Sequence, residues 1–132
     1  AKPPRNKIFG VIPGSRPTTS FGYTQAKKAT WDWYQLKTGN KTAKRDNFTD
    51  AIDFVGWYAN QSSLRSKISK TNAYQQYLAY HEGHGGYNNK SYEKKAWLIE
   101  IAKKVETKSN TYKAQLSQCR DQLDSNRIWT LF

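Results

Sequence analysis

The sequence has no methionine and only one cysteine in its 132 residues. The single Cys119 excludes an internal disulfide and a zinc site built on cysteine ligands. No apolar run approaches the roughly 20 residues that a membrane-spanning helix needs, and no segment has the pattern of a signal peptide. Because the chain starts at Ala1 without an initiator methionine, we expect it to be a processed or truncated product of a longer protein.

Acidic side chains are also scarce, since 10 Asp and Glu stand against 22 Lys and Arg and the formal net charge is +12. Such an excess predicts anionic partners, which it attracts over long distances. Nucleic acid, anionic lipid and acidic cell-wall glycan all satisfy this requirement. The mean hydropathy of −0.95 would suit a disordered chain, but 14% aromatic residues supply enough apolar area for one core. The length fits a single domain, 1–132.

All four prolines lie within the first 17 residues, which predicts an ordered loop over 1–21. The loop carries large apolar side chains that we expect to pack against a core: Ile8, Phe9, Val11, Ile12 and Phe21.

Apolar residues at helical spacing predict five helices in a helical body over 22–123, followed by a tail over 124–132. The second helix has the clearest stripe, made of Phe48, Ala51, Ile52, Val55, Tyr58 and Ala59. The helices are predicted at 26–37 with a stop at Gly39, from Asn47 onward, from 71 or 72 to the glycines at 83–86, at 91–107 and at 110–123. No strand-like alternation occurs, so the predicted fold is all-α.

A glycine-rich segment at the end of the third helix brings together Glu82 and two imidazoles, His81 and His84. The two histidines could hold a metal, but a third and fourth ligand have no evident spacing, so no metal is expected. A glycan or catalytic site and a simple helix C-cap are both open alternatives.

A second segment, Ser20-Phe21-Gly22-Tyr23-Thr24-Gln25, precedes the aromatic run at 31–34. Gly22 permits close backbone approach, Tyr23 offers a flat face with a hydroxyl, and Gln25 both donates and accepts hydrogen bonds. These groups suit a sugar, although they would equally stack a nucleobase. Trp31, Trp33 and Trp57 could instead be core residues, which we expect of at least two of the three.

Taken in order, three segments resemble the SLT-type lytic transglycosylases of the lysozyme-like superfamily. Gly22 to Gln25 stand where that family has G-L-M-Q, 50–58 resembles its middle helix, and 79–85 resembles A-Y-N-A-G-x-G. The resemblance covers about residues 17–90 and implies a lysozyme-like fold for the chain.

The resemblance implies cleavage of the bond between N-acetylmuramic acid and N-acetylglucosamine in peptidoglycan, with a 1,6-anhydro product and no cofactor. One Glu protonates the leaving oxygen and then accepts the proton of the sugar's own 6-hydroxyl, so a second carboxylate is unnecessary. Tyr80 would orient the acid or substrate, and Glu82 would either have a second, supporting role or be only a surface carboxylate at the helix end. The implied sugar-binding residues are Phe21, Gly22, Tyr23, Gln25, His81 and Gly83.

Two departures from the family pattern matter. His81 and Glu82 replace its Asn and Ala, and no acidic residue precedes Gly22, where the family has its catalytic Glu in E-S-x-F. We therefore expect the acid upstream of Ala1, and little or no lytic activity from this chain alone.

The setting that the resemblance implies is periplasmic or secreted, where Cys119 would pair with a cysteine of the upstream segment. A non-catalytic glycan-binding module is the main alternative. A nucleic-acid-binding domain is not expected, because the basic residues are spread along the chain.

Overall fold

The computed structural model describes the backbone of residues 7–8, 12–13 and 19–130 and the side chains of 19–125. The contacts divide the chain into two units, Ala1–Asn60 and Gln61–Phe132, which are described separately. Four α-helices make up most of the described residues, so the all-α class is confirmed. The assignment of 1–132 to a single domain stays a prediction.

The described part of the N-terminal segment is one short antiparallel pair of strands. β1 (Lys7–Ile8) pairs with β2 (Ile12–Pro13), with Lys7 opposite Pro13. The side chains that we expected to pack against a core lie outside the described residues, except for Phe21, which is half-buried.

The described part of the first unit also contains two helices. α1 (Lys28–Thr38) ends at the predicted stop, where Gly39 has a φ of 73° and its N–H donates to the carbonyl of Gln35. α2 (Phe48–Ser66) begins after Asn47, whose side-chain oxygen accepts a hydrogen bond from the N–H of Asp50 at 3.0 Å. The last residues of α2 belong to the second unit.

The core of the first unit is a cluster of aromatic rings between α1 and α2. The ring of Phe54 lies 5.0 Å from that of Trp31 and 5.4 Å from that of Tyr34, centroid to centroid. Tyr34 is fully buried and donates a short hydrogen bond to the carboxylate of Asp53. Together, burial and Asp53 raise the pKa of the Tyr34 hydroxyl.

The buried face of α2 differs from the predicted stripe. Ala51 and Tyr58 are buried as expected, together with Phe54, whereas Phe48, Ile52 and Val55 are exposed. The rings of α1 select this face because they pack against the large ring of Phe54, which the stripe did not contain.

The second unit contains α3 (Ala73–Asn88), a short 3₁₀ helix (Ser91–Lys94) and α4 (Ala96–Thr130). The side chain of Asn72 caps α3 by accepting from the N–H of Gln75 at 3.0 Å. A small core joins the helices, in which Leu78 of α3 meets Leu98 and Ala102 of α4, bordered by tyrosines.

Two helix ends in this unit differ from the prediction. α3 does not stop at the glycines: Gly83 interrupts it with a φ of 76° and a ψ of 163°, and helical turns resume through Asn88. The fourth and fifth predicted helices are one helix, α4, which also runs through most of the predicted tail. The helix is not interrupted within 96–130, because this range contains neither glycine nor proline. None of the described helices is long and apolar enough to cross a membrane.

Candidate functional site

The predicted site residues fall into two groups, one in each unit. The first group forms a tight turn over residues 22–25, closed by an antiparallel bridge between Phe21 and Ala26. The N–H and the side-chain amide of Gln25 both donate to the carbonyl of Gly22, at 3.3 and 2.8 Å. The amide therefore stabilises the turn while the residue stays exposed to solvent.

Gly22 is required by the close approach of a second backbone segment. Its φ is 79°, and an added Cβ would lie 2.0 Å from the carbonyl oxygen of Arg45. That same oxygen accepts from the N–H of Tyr23 at 3.2 Å. The structure of the turn therefore requires glycine at this position whether or not a ligand binds.

Arg45 completes the support of the turn. One guanidinium nitrogen donates to the carbonyls of Thr19 at 2.6 Å and Ala26 at 3.0 Å. The guanidinium also lies over the ring of Phe21, 5.1 Å from its centroid. Phe21 is therefore part of the scaffold that holds the motif, and Arg45 is a supporting residue that the sequence pattern did not reveal.

Tyr23 is the aromatic side chain that the turn presents to solvent. It is 66% exposed, and its ring meets the exposed ring of Phe48 edge to face at 5.5 Å. Together with Gln25, an exposed residue whose amide also holds the turn, this surface offers both a flat apolar face and a polar group.

The tryptophans that follow the turn are divided between two environments. Trp31 is buried in the core and donates its indole N–H to the carbonyl of Ala43 at 3.2 Å. Trp33 and Trp57 are only half-buried and meet edge to face, with their centroids 4.6 Å apart. The core interpretation thus fits Trp31 best.

The second group lies around the interruption of α3. The side chain of Glu82 is only 5% exposed, and its carboxylate accepts from Lys95 Nζ at 2.8 Å. It also accepts from the Ser91 hydroxyl at 2.9 Å and lies 3.2 Å from Nδ1 of His81. Glu82 thereby ties α3 to the 3₁₀ helix and to the residue just before α4.

These partners decide the protonation state of Glu82. Burial by itself would raise the pKa of the carboxyl, but the hydrogen bonds from Lys95, Ser91 and His81 outweigh it and lower the pKa below its ordinary value. A general acid near neutral pH needs a raised pKa. The surroundings of Glu82 favour the supporting role over that of proton donor.

His81 lies at the surface beside the same cluster. Its ring meets that of Trp97 edge to face at 5.3 Å, and Trp97 is 55% exposed. Tyr80, one residue earlier, is half-buried, and Gly83 supplies the left-handed backbone that interrupts the helix. The second group therefore presents an imidazole and an indole next to a buried, charged anchor.

A hydrogen-bonded serine and histidine also lie in the second unit. The Ser62 hydroxyl is 2.9 Å from Nε2 of His84, which couples the end of α2 to the later part of α3. Burial and the nearby Arg65 lower the pKa of His84. Because Ser62 is fully buried, this pair is a packing contact rather than an accessible nucleophile with its base.

Neither a metal cluster nor a disulfide is found in the described part of the chain. Within residues 19–125, no group of three or more His, Cys, Asp or Glu side chains could hold a metal ion. Cys119 is an exposed free thiol on α4. Its pairing with a cysteine outside this chain stays a prediction.

In a comparison with known protein families, residues 1–119 match the model described as the transglycosylase SLT domain. The chain belongs to the transglycosylase SLT domain family. The resemblance carried by the three sequence motifs is thus confirmed, and the SLT match extends beyond them at both ends. No curated protein and no solved structure gives a significant match.

Proposed function

We propose that this SLT domain binds peptidoglycan strands for a lytic transglycosylase that cleaves the bond between N-acetylmuramic acid and N-acetylglucosamine and forms a 1,6-anhydro product. The proposal places the protein in the periplasm or outside the cell. Its catalytic acid is supplied by a group outside these 132 residues, and the chain alone has little or no lytic activity.

The ion pair of Glu82 with Lys95 is the observation that carries this proposal. By resemblance to the family, a single acid performs the reaction, and Glu82 is the acidic residue within the matched motif. A carboxylate kept charged by Lys95 and Ser91 cannot readily donate the proton that the leaving oxygen needs. The same ion pair also supports the alternative of a glycan-binding module without catalysis.

Glycan binding is assigned to the exposed surface of the 22–25 turn. The flat ring of Tyr23 suits the apolar face of a sugar, and the amide of Gln25 suits an N-acetyl group. The net charge of +12 adds attraction to the carboxylates of the peptide stems.

Purified sacculi provide the test. We expect the chain to co-sediment with sacculi and to release few or no 1,6-anhydro muropeptides, as measured by mass spectrometry. Tyr23→Ala should weaken co-sedimentation, whereas Tyr112→Ala, which removes a tyrosine that is 61% exposed on α4, should not. Equal loss in both variants, or no binding at all, would contradict the proposed surface.

The released products separate the catalytic alternatives. Anhydro products that disappear in Glu82→Gln but persist in Glu93→Gln, a change at an exposed glutamate, would show that Glu82 is the acid and overturn the proposal. Sacculus binding without cleavage, even when the full-length protein is used, would favour the non-catalytic module. Binding to an oligonucleotide in preference to sacculi would favour a nucleic-acid partner.

A further inference from the structure

α4 carries a row of residues spaced alternately by four and three positions. The row is Leu98, Ala102, Val105, Ser109, Tyr112, Leu116, Cys119 and Leu123. This spacing is the heptad repeat by which one helix packs along another. We call its later part, from Val105 to Leu123, the α4 seam.

The first two residues of the row already pack in this way. Leu98 and Ala102 are fully buried against α3. Along the α4 seam, residues of the same row are exposed to solvent: Tyr112 is 61% exposed, and Leu116 and Leu123 are each 58% exposed. Val105, Ser109, Tyr112 and Leu116 line an open apolar groove together with two lysines. The seam thus continues an existing helix-packing surface with no described residue covering it.

The width of the seam distinguishes between a helix and a lipid surface as its partner. A helix that lies in a membrane interface has a broad apolar face, whereas a helix in a coiled coil has a narrow stripe of two positions per heptad. The positions that flank the α4 seam are charged or polar: Glu106, Lys108, Lys113, Gln115, Arg120 and Gln122. The stripe is therefore the narrow kind, which fits another helix.

The flanking charges distinguish a second copy of this chain from a different partner. Three flanking residues are cationic (Lys108, Lys113 and Arg120) and only Glu106 is anionic. In a parallel pair of copies, Lys108 of each would face Lys113 of the other. In an antiparallel pair centred on Leu116 and Cys119, Lys113 would face Arg120. Like charges at these positions oppose association.

We propose that the α4 seam is the docking surface for an amphipathic helix of another protein, with apolar residues at its core positions and acidic residues beside them. Glutamates on the partner would pair with Lys108 and Arg120, while its apolar side chains would cover Tyr112, Leu116 and Leu123. Lys113 donates to the carbonyl of Thr71 at 3.2 Å, and this hydrogen bond holds its charge beside the seam.

Two synthetic peptides of about three heptads test this proposal. Both have leucine at the core positions; one has glutamate at every flanking position and the other has lysine. Binding to the full chain is measured by fluorescence anisotropy at low salt, with reductant to keep Cys119 from forming disulfides between molecules. We expect the glutamate peptide to bind at least about tenfold more tightly, which is about 1.4 kcal/mol, and added salt to reduce the preference.

Variants of the chain show whether the seam is responsible. Leu116→Asp should abolish binding, and Leu64→Asp, a change at a leucine that is 70% exposed outside the seam, should leave it unchanged. The double change Lys108→Glu and Arg120→Glu leaves one flanking cation and three anions, so the preference should shift toward the lysine peptide. A loss of folding cannot produce that reversal.

Several outcomes would overturn the proposal. They are binding of neither peptide, equal binding of both, or a preference that the double change leaves unaltered. Concentration-dependent dimerisation in sedimentation that Leu116→Asp removes would assign the seam to a second copy. Binding to anionic phospholipid vesicles that Leu116→Asp removes, with no peptide binding, would assign it to a membrane surface.

Discussion

Glu82→Gln replaces a buried carboxylate with a neutral side chain of nearly the same shape. The amide oxygen can still accept from the Ser91 hydroxyl, which is 2.9 Å from the native carboxylate, so that contact is retained. What disappears is the ionic contact with Lys95 at 2.8 Å and the attraction to His81. The change therefore measures what the negative charge of Glu82 contributes, apart from its shape.

The expected loss of stability follows from the exposure of the two partners. A hydrogen bond to a charged group contributes about 1.5–3 kcal/mol. The Lys95 side chain is 39% exposed, so its ammonium can turn back to water, and the lower part of that range applies. We expect the free energy of unfolding to fall by about 2 kcal/mol, and the melting temperature by about 6 °C.

The pH dependence provides a second measurement of the same anchor. Because folding lowers the pKa of Glu82 below its ordinary value of 4.5, its stabilisation is complete above that value and is lost as the pH falls through the folded-state pKa. The difference between the native chain and Glu82→Gln should therefore stay constant from pH 7 to about 5 and shrink below that.

Urea unfolding followed by circular dichroism measures both quantities. Glu93→Gln is the matched control at an exposed glutamate and should change stability by less than about 0.5 kcal/mol. Lys95→Met, alone and combined with Glu82→Gln, closes a double-mutant cycle that gives the coupling of the pair. Equal stability of Glu82→Gln and the native chain at pH 7, or a difference that persists undiminished to pH 3, would refute the reasoning.

Two further substitutions test the first unit. Gly22→Ala should destabilise it by more than about 2 kcal/mol, because the new Cβ would lie 2.0 Å from the Arg45 oxygen at a φ of 79°; Gly85→Ala, where a Cβ meets nothing within 4 Å, is the control for thermal unfolding. Tyr34→Phe removes the buried hydroxyl that donates to Asp53 and should cost about 1 kcal/mol in urea unfolding. Tyr112→Phe, at an exposed tyrosine, should cost almost nothing, and equal effects would contradict the assignment.

Helix positions were predictable where local signals determine them. Gly39 terminates α1 and Asn47 caps the start of α2, because each forms hydrogen bonds with backbone groups within a few residues. The buried face of α2 was not predictable, because apolar residues occur on several sides of that helix. Its choice depends on the rings of α1, which are distant in the sequence.

The length of α4 also differs from the prediction, which divided this part of the chain into two helices and a tail. The break predicted between 107 and 110 does not occur. Ser109 and Asn110 have weak helix propensity, but differences of a few tenths of a kcal/mol do not end a helix that lacks glycine and proline there.

The sequence singled out candidate site residues, whose roles stay predictions, but it could not give their contacts. The motifs pointed to the 22–25 turn and the Glu82 region, and both lie within the residues that match the family. The partners of Glu82, however, are 9 and 13 residues away, beyond an interrupted helix turn. Arg45 reaches back 26 residues to Thr19. No helical or strand periodicity relates such pairs, so only the folded backbone reveals them.

The later part of α4 is exposed on every side from residue 110 to 125, and this has a thermodynamic consequence. Among the described residues its tertiary support is slight, with Lys113 donating to the carbonyl of Thr71. A helix segment of this length with so little support is marginal in water, so we expect it to fray and reform on its own. Its amides should exchange with deuterium faster than those near Leu98, through openings that leave the rest of the unit folded. A ligand that docks there must first order the segment, and part of the contact energy is spent on that ordering. Binding at this end of the molecule would then be readily reversible, with dissociation linked to the fraying of the helix.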